Sequence, residues 1–180
     1  MRHVLTALLV VFFLASCAGE YSQNHIWNKG TIERGGNMEI SSPDFEDNGE
    51  IPKEFTCDGE DRSPELHING VPEGTKALAL VMDDPDAPTG TFTHWAVWNM
   101  PSGTSKIGMG EEPEGVQGTN SFGNRGYGGP CPPSGTHRYY FRLYALDTEL
   151  ELEEGSSKED LEDAMRGHVA GMRMYLLAYQ

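Results

Sequence analysis

Positive charge is scarce in this chain: 13 Lys and Arg residues stand against 28 Asp and Glu, for a formal net charge of −15. That balance argues against a nucleic-acid partner, because such binding rests on Lys and Arg neutralising phosphates. It also gives no electrostatic pull toward anionic lipid. Cysteine is sparse as well, with three residues in 180. Neither CxxC nor HExxH occurs, so no compact metal motif is present, and no serine sits in a GxSxG elbow. Long apolar runs are missing after the N-terminus, while 22 Gly and 11 Pro are spread between short apolar and aromatic segments. That pattern excludes simple disorder and points to a turn-rich, mostly β architecture, in a chain long enough for one domain with a good core.

At the N-terminus, Arg2 and His3 precede an apolar run from Val4 to Leu14, too short to span a bilayer comfortably and of signal-peptide length. The following Leu14-Ala15-Ser16-Cys17 resembles the bacterial lipobox, which is cut before the cysteine and lipidated on it; an ordinary cleavable signal with an incidental cysteine is the alternative. Residues 1–16 are read as a lipoprotein signal peptide and residues 17–37 as the lipidated Cys17 with a flexible tether. Losing residues 1–16 removes only Arg2 among formally charged side chains, so acyl chains on Cys17 would supply the anchor that charge cannot. The expectation is an exported, membrane-anchored lipoprotein of the cell envelope. Ala18 rather than Asp after the cysteine favours the outer membrane, facing the periplasm, if the source is Gram-negative.

Residues 38–180 are read as the domain, organised around DDPDAPTGTFTHW from Asp83 to Trp95. Lys76 to Met82 reads as a buried strand, and its two-residue alternation puts Asp84 on the side of Leu78, Leu80 and Met82. Pro85 and Pro88 then force a stiff turn that holds Asp84 and Asp86 in a fixed relation. The next run, His94 to Met100, alternates again, with His94, Ala96 and Trp98 expected on one face. Thr136 to Leu146 is the clearest strand of the sequence, with His137, Tyr139, Phe141, Leu143 and Ala145 on one face and Arg138, Tyr140, Arg142 and Tyr144 on the other.

Shorter strand candidates are MEISSPDF from Met38, IPKEFT from Ile51, and a run from Leu66 that ends at a Pro-Glu-Gly turn. Pro101 to Gly135 shows no clear strand or helix period and reads as a long Gly-rich loop of functional character. Ser156 or Ser157 can cap a helix, with Glu159 three residues after Ser156 as in a capping box; Leu161, Met165 and Val169 give its apolar stripe to about Ala170. Met172 to Tyr179 is a last strand. The expected fold is an antiparallel β-sandwich with one significant helix near the C-terminus.

The combination DPDAP, THW and GYGGPCPPSGTHRY, together with FTCDG, SPEL and VPEGTK, resembles the phosphatidylethanolamine-binding protein family, in its bacterial Raf-kinase-inhibitor-like branch, from about Met38 to the C-terminus. The resemblance implies a Greek-key β-sandwich with a small anion pocket. Asp84, Asp86 and Pro88 match the family's DPDxP, His94 its second-strand histidine, and His137, Arg138 and Tyr139 its HRY; Tyr127 and the Cys131-Pro132-Pro133 backbone would line the rest. One departure is Ile68, where the family usually has tryptophan two positions after SPEL. Bacterial members of the family can pair into homodimers, but no stretch here marks an interface.

The residues carry their own chemistry. A carboxylate beside an imidazole fixes the ring and favours its protonated form, so Asp84 or Asp86 would turn His94 or His137 into a donor toward phosphate. Backbone amides from Gly128 to Cys131 can add donors. Against this, Asp in Asp-Pro contexts is often only a turn former, a strand histidine is often a satisfied core residue, and Arg138 can simply pair with an Asp of the turn. Two Asp and two His suit a metal in type but not in spacing, so neither metal nor cofactor is expected. Ser134, with Thr136, is the only nearby hydroxyl worth naming as a nucleophile, so the chain is expected to bind rather than catalyse. Once Cys17 is set aside for the lipid, Cys57 and Cys131 are either bridged or two free thiols; export favours the bridge. The expected ligand is a phosphate or phosphoethanolamine-like small anion. The alternative is regulation of a protein partner such as a protease or kinase.

Overall fold

A computed structural model describes residues 37–179; the stretch read as a signal peptide, Cys17 and the stretch read as a tether, up to residue 36, lie outside the described residues. Among the described residues, eight strands form two antiparallel sheets, joined by one 3₁₀ turn and one helix. The smaller sheet holds β1 (Glu39–Ser41), β2 (Leu66–Asn69) and β5 (Lys106–Ile107), in the order β1-β2-β5. The larger has the order β6-β4-β3-β7-β8, built from β3 (Ala77–Asp84), β4 (Phe92–Pro101), β6 (Val116–Gln117), β7 (His137–Leu146) and β8 (Val169–Tyr179).

The larger sheet is buried on both faces. Leu78, Leu80, Met82, Trp95, Val97, Phe141 and Leu143 pack against Ile40, Leu66, Ile68 and Ile107 of the smaller sheet. On the reverse face, Ala79, Val81, Ala96, Trp98 and Tyr144 meet Leu150 and, from α1 (Lys158–Ala164) and its C-cap, Leu161 and Met165. All eight positions of β3 are therefore buried, which is why its sequence is a continuous apolar run rather than an alternation. Ile68, where the resemblance suggested tryptophan, sits 2% exposed in the inter-sheet core.

Several local expectations are corrected. Ile51 to Thr56 holds a 3₁₀ turn, Lys53–Phe55, not a strand; Phe55 fills the core, and the Thr56 hydroxyl closes the turn on the Lys53 carbonyl at 2.9 Å. The Gly-rich stretch after Pro101 contains two short strands, β5 and β6, each two residues long. Of the two serines offered as caps, Ser157 caps α1, and the capping box is Ser157 with Asp160 rather than Ser156 with Glu159. The helix ends at Ala164 because Val169, read as helical, opens β8 and pairs with Leu146.

The most consequential difference concerns β4. Met82 pairs with Trp95 but Asp83 pairs with Thr93, so His94 is the extra residue of a β-bulge. Ala96 and Trp98 lie on the face under α1. His94 instead lies on the opposite face, edge-on to Tyr139 at a centroid distance of 5.2 Å. A second register shift lies between Leu78 and Leu80; here Asn99 takes a φ of 55° and its side chain holds the Leu150 backbone through bonds of 2.8 and 2.9 Å.

Candidate functional site

At the end of β3 the chain must reverse, and the Asp-Pro-Asp sequence decides how. Asp84 remains in strand geometry ahead of Pro85, and its Oδ1 accepts the Asp86 amide at 2.8 Å, closing a tight side-chain turn. Gly90, with a φ of 106°, completes the reversal by donating to the Ala87 carbonyl at 3.1 Å. The two carboxylates then meet two neighbouring residues of β7. His137, pointing inward, donates from Nδ1 to Asp84 Oδ2 at 2.6 Å, and both side chains are buried. Arg138, pointing outward, grips Asp86 with its backbone amide at 2.9 Å, Nε at 2.8 Å and Nη2 at 2.6 Å. This fork holds the Asp86 carboxyl down at about 2. The Asp-Pro-Asp turn and the His-Arg pair are thus one latch, read on opposite faces of a strand.

A cavity of about 210 Å³ opens above the Asp84–His137 pair. Its wall contains Asp84, Pro88, His94, Cys131, Pro133, His137 and Tyr139, seven of the nine ligand-pocket residues expected from the sequence. Asp86 and Tyr127 stand outside the wall. Asp86 is committed to Arg138. Tyr127 donates its hydroxyl to the Phe55 carbonyl at 2.6 Å and packs edge-on to Trp95 at 5.6 Å; burial pushes its phenol above the ordinary value. Ala87, Thr89, Phe92, Phe122 and Pro132 complete the wall.

The two histidines are held differently. His94 donates from Nδ1 to the Gly128 carbonyl at 2.7 Å, and the Gly128 amide donates to the His94 carbonyl at 2.9 Å. Burial lowers the pKa of His94 below its ordinary 6.5, so it stays neutral at pH 7; of the two histidines offered for pairing with an Asp, it is not the paired one. His137 alone has the carboxylate partner.

The backbone amides from Gly128 to Cys131 are the ones the sequence offers to a ligand. Of these, the amides of Gly128 and Gly129 are used by the fold: Gly128 bonds to His94 and Gly129 to Asp61 Oδ1 at 2.7 Å. The same segment is fixed by the Cys57 amide on the Pro130 carbonyl at 3.1 Å and by a disulfide between Cys57 and Cys131. A Cβ on Gly129 would lie 2.5 Å from the Phe55 carbonyl oxygen, which explains the glycine there. Asp83, on the other face of the sheet, is buried and paired with Arg142 and, at 4.0 Å, with Lys158 of α1; it belongs to the helix packing rather than to the cavity.

Phe92 and Phe122 were not anticipated. Phe92 was within reach, lying two residues before His94 on a strand, but Phe122 sits in a loop whose local sequence carries no periodic signal. Among the described residues no group of three or more His, Cys, Asp or Glu side chains is placed to hold a metal ion.

Two packed antiparallel sheets with a carboxylate–histidine pair under a proline-rimmed cavity define a β-sandwich domain with a cavity at the end of its larger sheet. A family model described as phosphatidylethanolamine-binding protein matches residues 41–180. The chain is 53% identical over 140 residues to a UPF0098 protein of Methanothermobacter thermautotrophicus, covering 74% of this chain and 93% of the relative. It is 51% identical to a UPF0098 protein of Aquifex aeolicus, covering 73% and 82%. Among solved structures, a putative phosphatidylethanolamine-binding protein homolog of Chlamydia trachomatis superposes with a TM-score of 0.77 at 40% identity, over 79% of this chain and 97% of that one. E. coli YbcL does so with 0.75 at 29% identity, over 81% and 99%. The chain therefore belongs to the phosphatidylethanolamine-binding protein family, in its UPF0098- and YbcL-like branch.

Proposed function

We propose that the domain is a binding module for a small phosphate-type anion, held to the cell envelope by a lipid on Cys17. The observation that carries the pocket reading is the His137–Asp84 contact at 2.6 Å beneath the cavity. With Nδ1 of both histidines engaged by the fold, Nε2 is the ring nitrogen that meets a ligand. His94, with its proton on Nδ1 held by the Gly128 carbonyl, presents Nε2 as an acceptor; His137, with its Nδ1–H held by Asp84, presents Nε2–H as a donor when its ring carries both protons. One donor and one acceptor match a singly ionised phosphate monoester, which offers both an anionic oxygen and a P–OH. The wall contains no Lys or Arg, so the module recognises its ligand by hydrogen bonds rather than by net charge, and binding depends little on salt.

We further propose that the module binds and releases its ligand unchanged. Ser134, the loop serine considered as a nucleophile, is exposed and outside the cavity wall. Titration with inorganic phosphate and phosphoethanolamine, followed through the histidine ring signals by NMR, tests the pocket. Saturable shifts at His94 and His137, weakened at least 10-fold by Asp84→Asn, are expected. Unmoved signals at millimolar ligand would turn attention to a protein partner. The anchor, inferred from Leu14 to Cys17, is tested by intact mass of membrane-extracted protein; a mature chain without acyl mass on Cys17 would remove it.

A further inference from the structure

Phe122 is 45% exposed, yet the turn that carries it is tied down on both sides by hydrogen bonds. Asn120, 4% exposed, accepts from the amides of Phe122 at 3.0 Å and Asn124 at 3.1 Å through Oδ1, and donates from Nδ2 to the Gly126 carbonyl at 3.0 Å. Ser121 fastens the turn to β4 in both directions: its amide donates to the Thr93 carbonyl at 2.8 Å and its hydroxyl accepts the Thr93 amide at 2.9 Å. Beneath the ring lies Gly128, where a Cβ would fall 2.7 Å from Phe122 Cδ2, so this close approach requires glycine. The chain thus fixes an aromatic ring partly in water at the edge of the one cavity described above.

What surrounds that ring is apolar and flat. Phe92 stands edge-on to Phe122 at 4.7 Å, and His94 stands edge-on to it at 5.6 Å. Pro88, Pro132 and Pro133 add rigid apolar wall. Besides the hydroxyls of Thr89 and Tyr139, the polar groups of the wall are Asp84, His94 and His137, which belong to the histidine site already described. A cavity of about 150 Å³ is sufficient to admit benzene. The 210 Å³ here accommodate one six-membered ring with an anionic group beside it, but not a pair of acyl chains.

We propose that the phenylalanine pair is an aryl subsite: the ligand is a phosphate monoester whose ester substituent is a flat, apolar ring packed against Phe122. This rests on the anion-pocket reading and specifies its substrate class. Because the wall supplies no Lys or Arg, the ring contributes the affinity that such charge does not, and edge-to-face packing with Phe92 and Phe122 selects a ring over an alkyl chain of similar area.

The test is calorimetric titration of the full chain with inorganic phosphate, phenyl phosphate and hexyl phosphate, repeated on Phe122→Ala and Phe122→Leu. Phe122 is exposed enough for both variants to fold, and far-UV and near-UV spectra check this. Phenyl phosphate is expected to bind on the order of 10-fold tighter than inorganic phosphate. Phe122→Ala should erase that gain, bringing phenyl phosphate down to the affinity of inorganic phosphate on the same variant. Phe122→Leu should erase the preference for phenyl over hexyl. Equal affinity for phenyl and inorganic phosphate, a gain that survives Phe122→Ala, or hexyl phosphate binding as tightly as phenyl would each overturn the subsite. All three of these outcomes leave the anion pocket standing, whereas no binding of any of the three ligands removes pocket and subsite together.

Discussion

Replacing Cys57 and Cys131 by serine together should lower stability without dismantling the pocket. The bridge closes a loop with a sequence separation of 74, for which the chain-entropy relation gives about 4 kcal/mol, acting on the unfolded chain. Both cysteines are exposed, so serine leaves no cavity behind. The loop they join also keeps its other ties: Tyr127 to the Phe55 carbonyl at 2.6 Å, Gly129 to Asp61 at 2.7 Å, and the residue 57 amide to Pro130 at 3.1 Å. In urea the midpoint should therefore fall by about 2 M, from a denaturant slope on the order of 2 kcal/mol per M. The His94 and His137 ring signals should stay near their wild-type positions. A stability loss under about 1 kcal/mol would refute the unfolded-state argument. Displaced histidine signals with little stability change would show instead that the bridge shapes the cavity.

Other consequences can be checked on the same protein. Gly129→Ala places a Cβ 2.5 Å from the Phe55 oxygen and 2.6 Å from Asp61 Oδ1, and should cost about 1–3 kcal/mol by urea unfolding; a wild-type midpoint would count against the close packing of these segments. Asp86 has its carboxyl held down at about 2 by Arg138, so the stability it adds is full above the ordinary 3.8 and disappears as pH falls toward 2. The advantage of wild type over Asp86→Asn should follow that course, and an equal advantage at pH 7 and pH 2 would contradict it. For His94 the sign is set by burial: between 6.5 and its lower folded midpoint the unfolded ring binds a proton that the folded ring does not, so this site removes stability as pH falls. Its NMR titration should therefore lie below 6.5, and a midpoint at or above that value would show that the ring is not desolvated as described.

Much of the architecture was legible because burial and strand periodicity leave direct marks. The apolar run before Asp84 and the alternation of Thr136 to Leu146 gave β3 and β7, and the inward placement of Asp84 and His137 with them. The failures have a common cause. His94 lies opposite the face its alternation predicts because a bulge adds one residue, and a bulge is set by the partner strand, which local alternation does not record. Ile51 to Thr56 has strand-like composition but no partner to pair with in the finished sandwich, and it turns to bury Phe55. Val169 fits a helical stripe, but pairing with β7 takes it into β8.

By itself the sequence determined the stop at the end of β3: proline geometry and an Asp that bonds its own backbone are properties of adjacent residues. It also determined which residue types were available to a pocket, and that cationic side chains would be few. Only the tertiary structure decided which carboxylate met which base. Asp84 and His137 are 53 residues apart and Asp86 and Arg138 are 52, so their pairing depends on the register of β3 against β7. The same holds for the Gly128 and Gly129 amides, spent on His94 and Asp61, and for Phe122, brought to the cavity by a turn anchored on β4. Contacts of that range cost chain entropy that no local preference repays, and they form only when the two sheets bury the core between them.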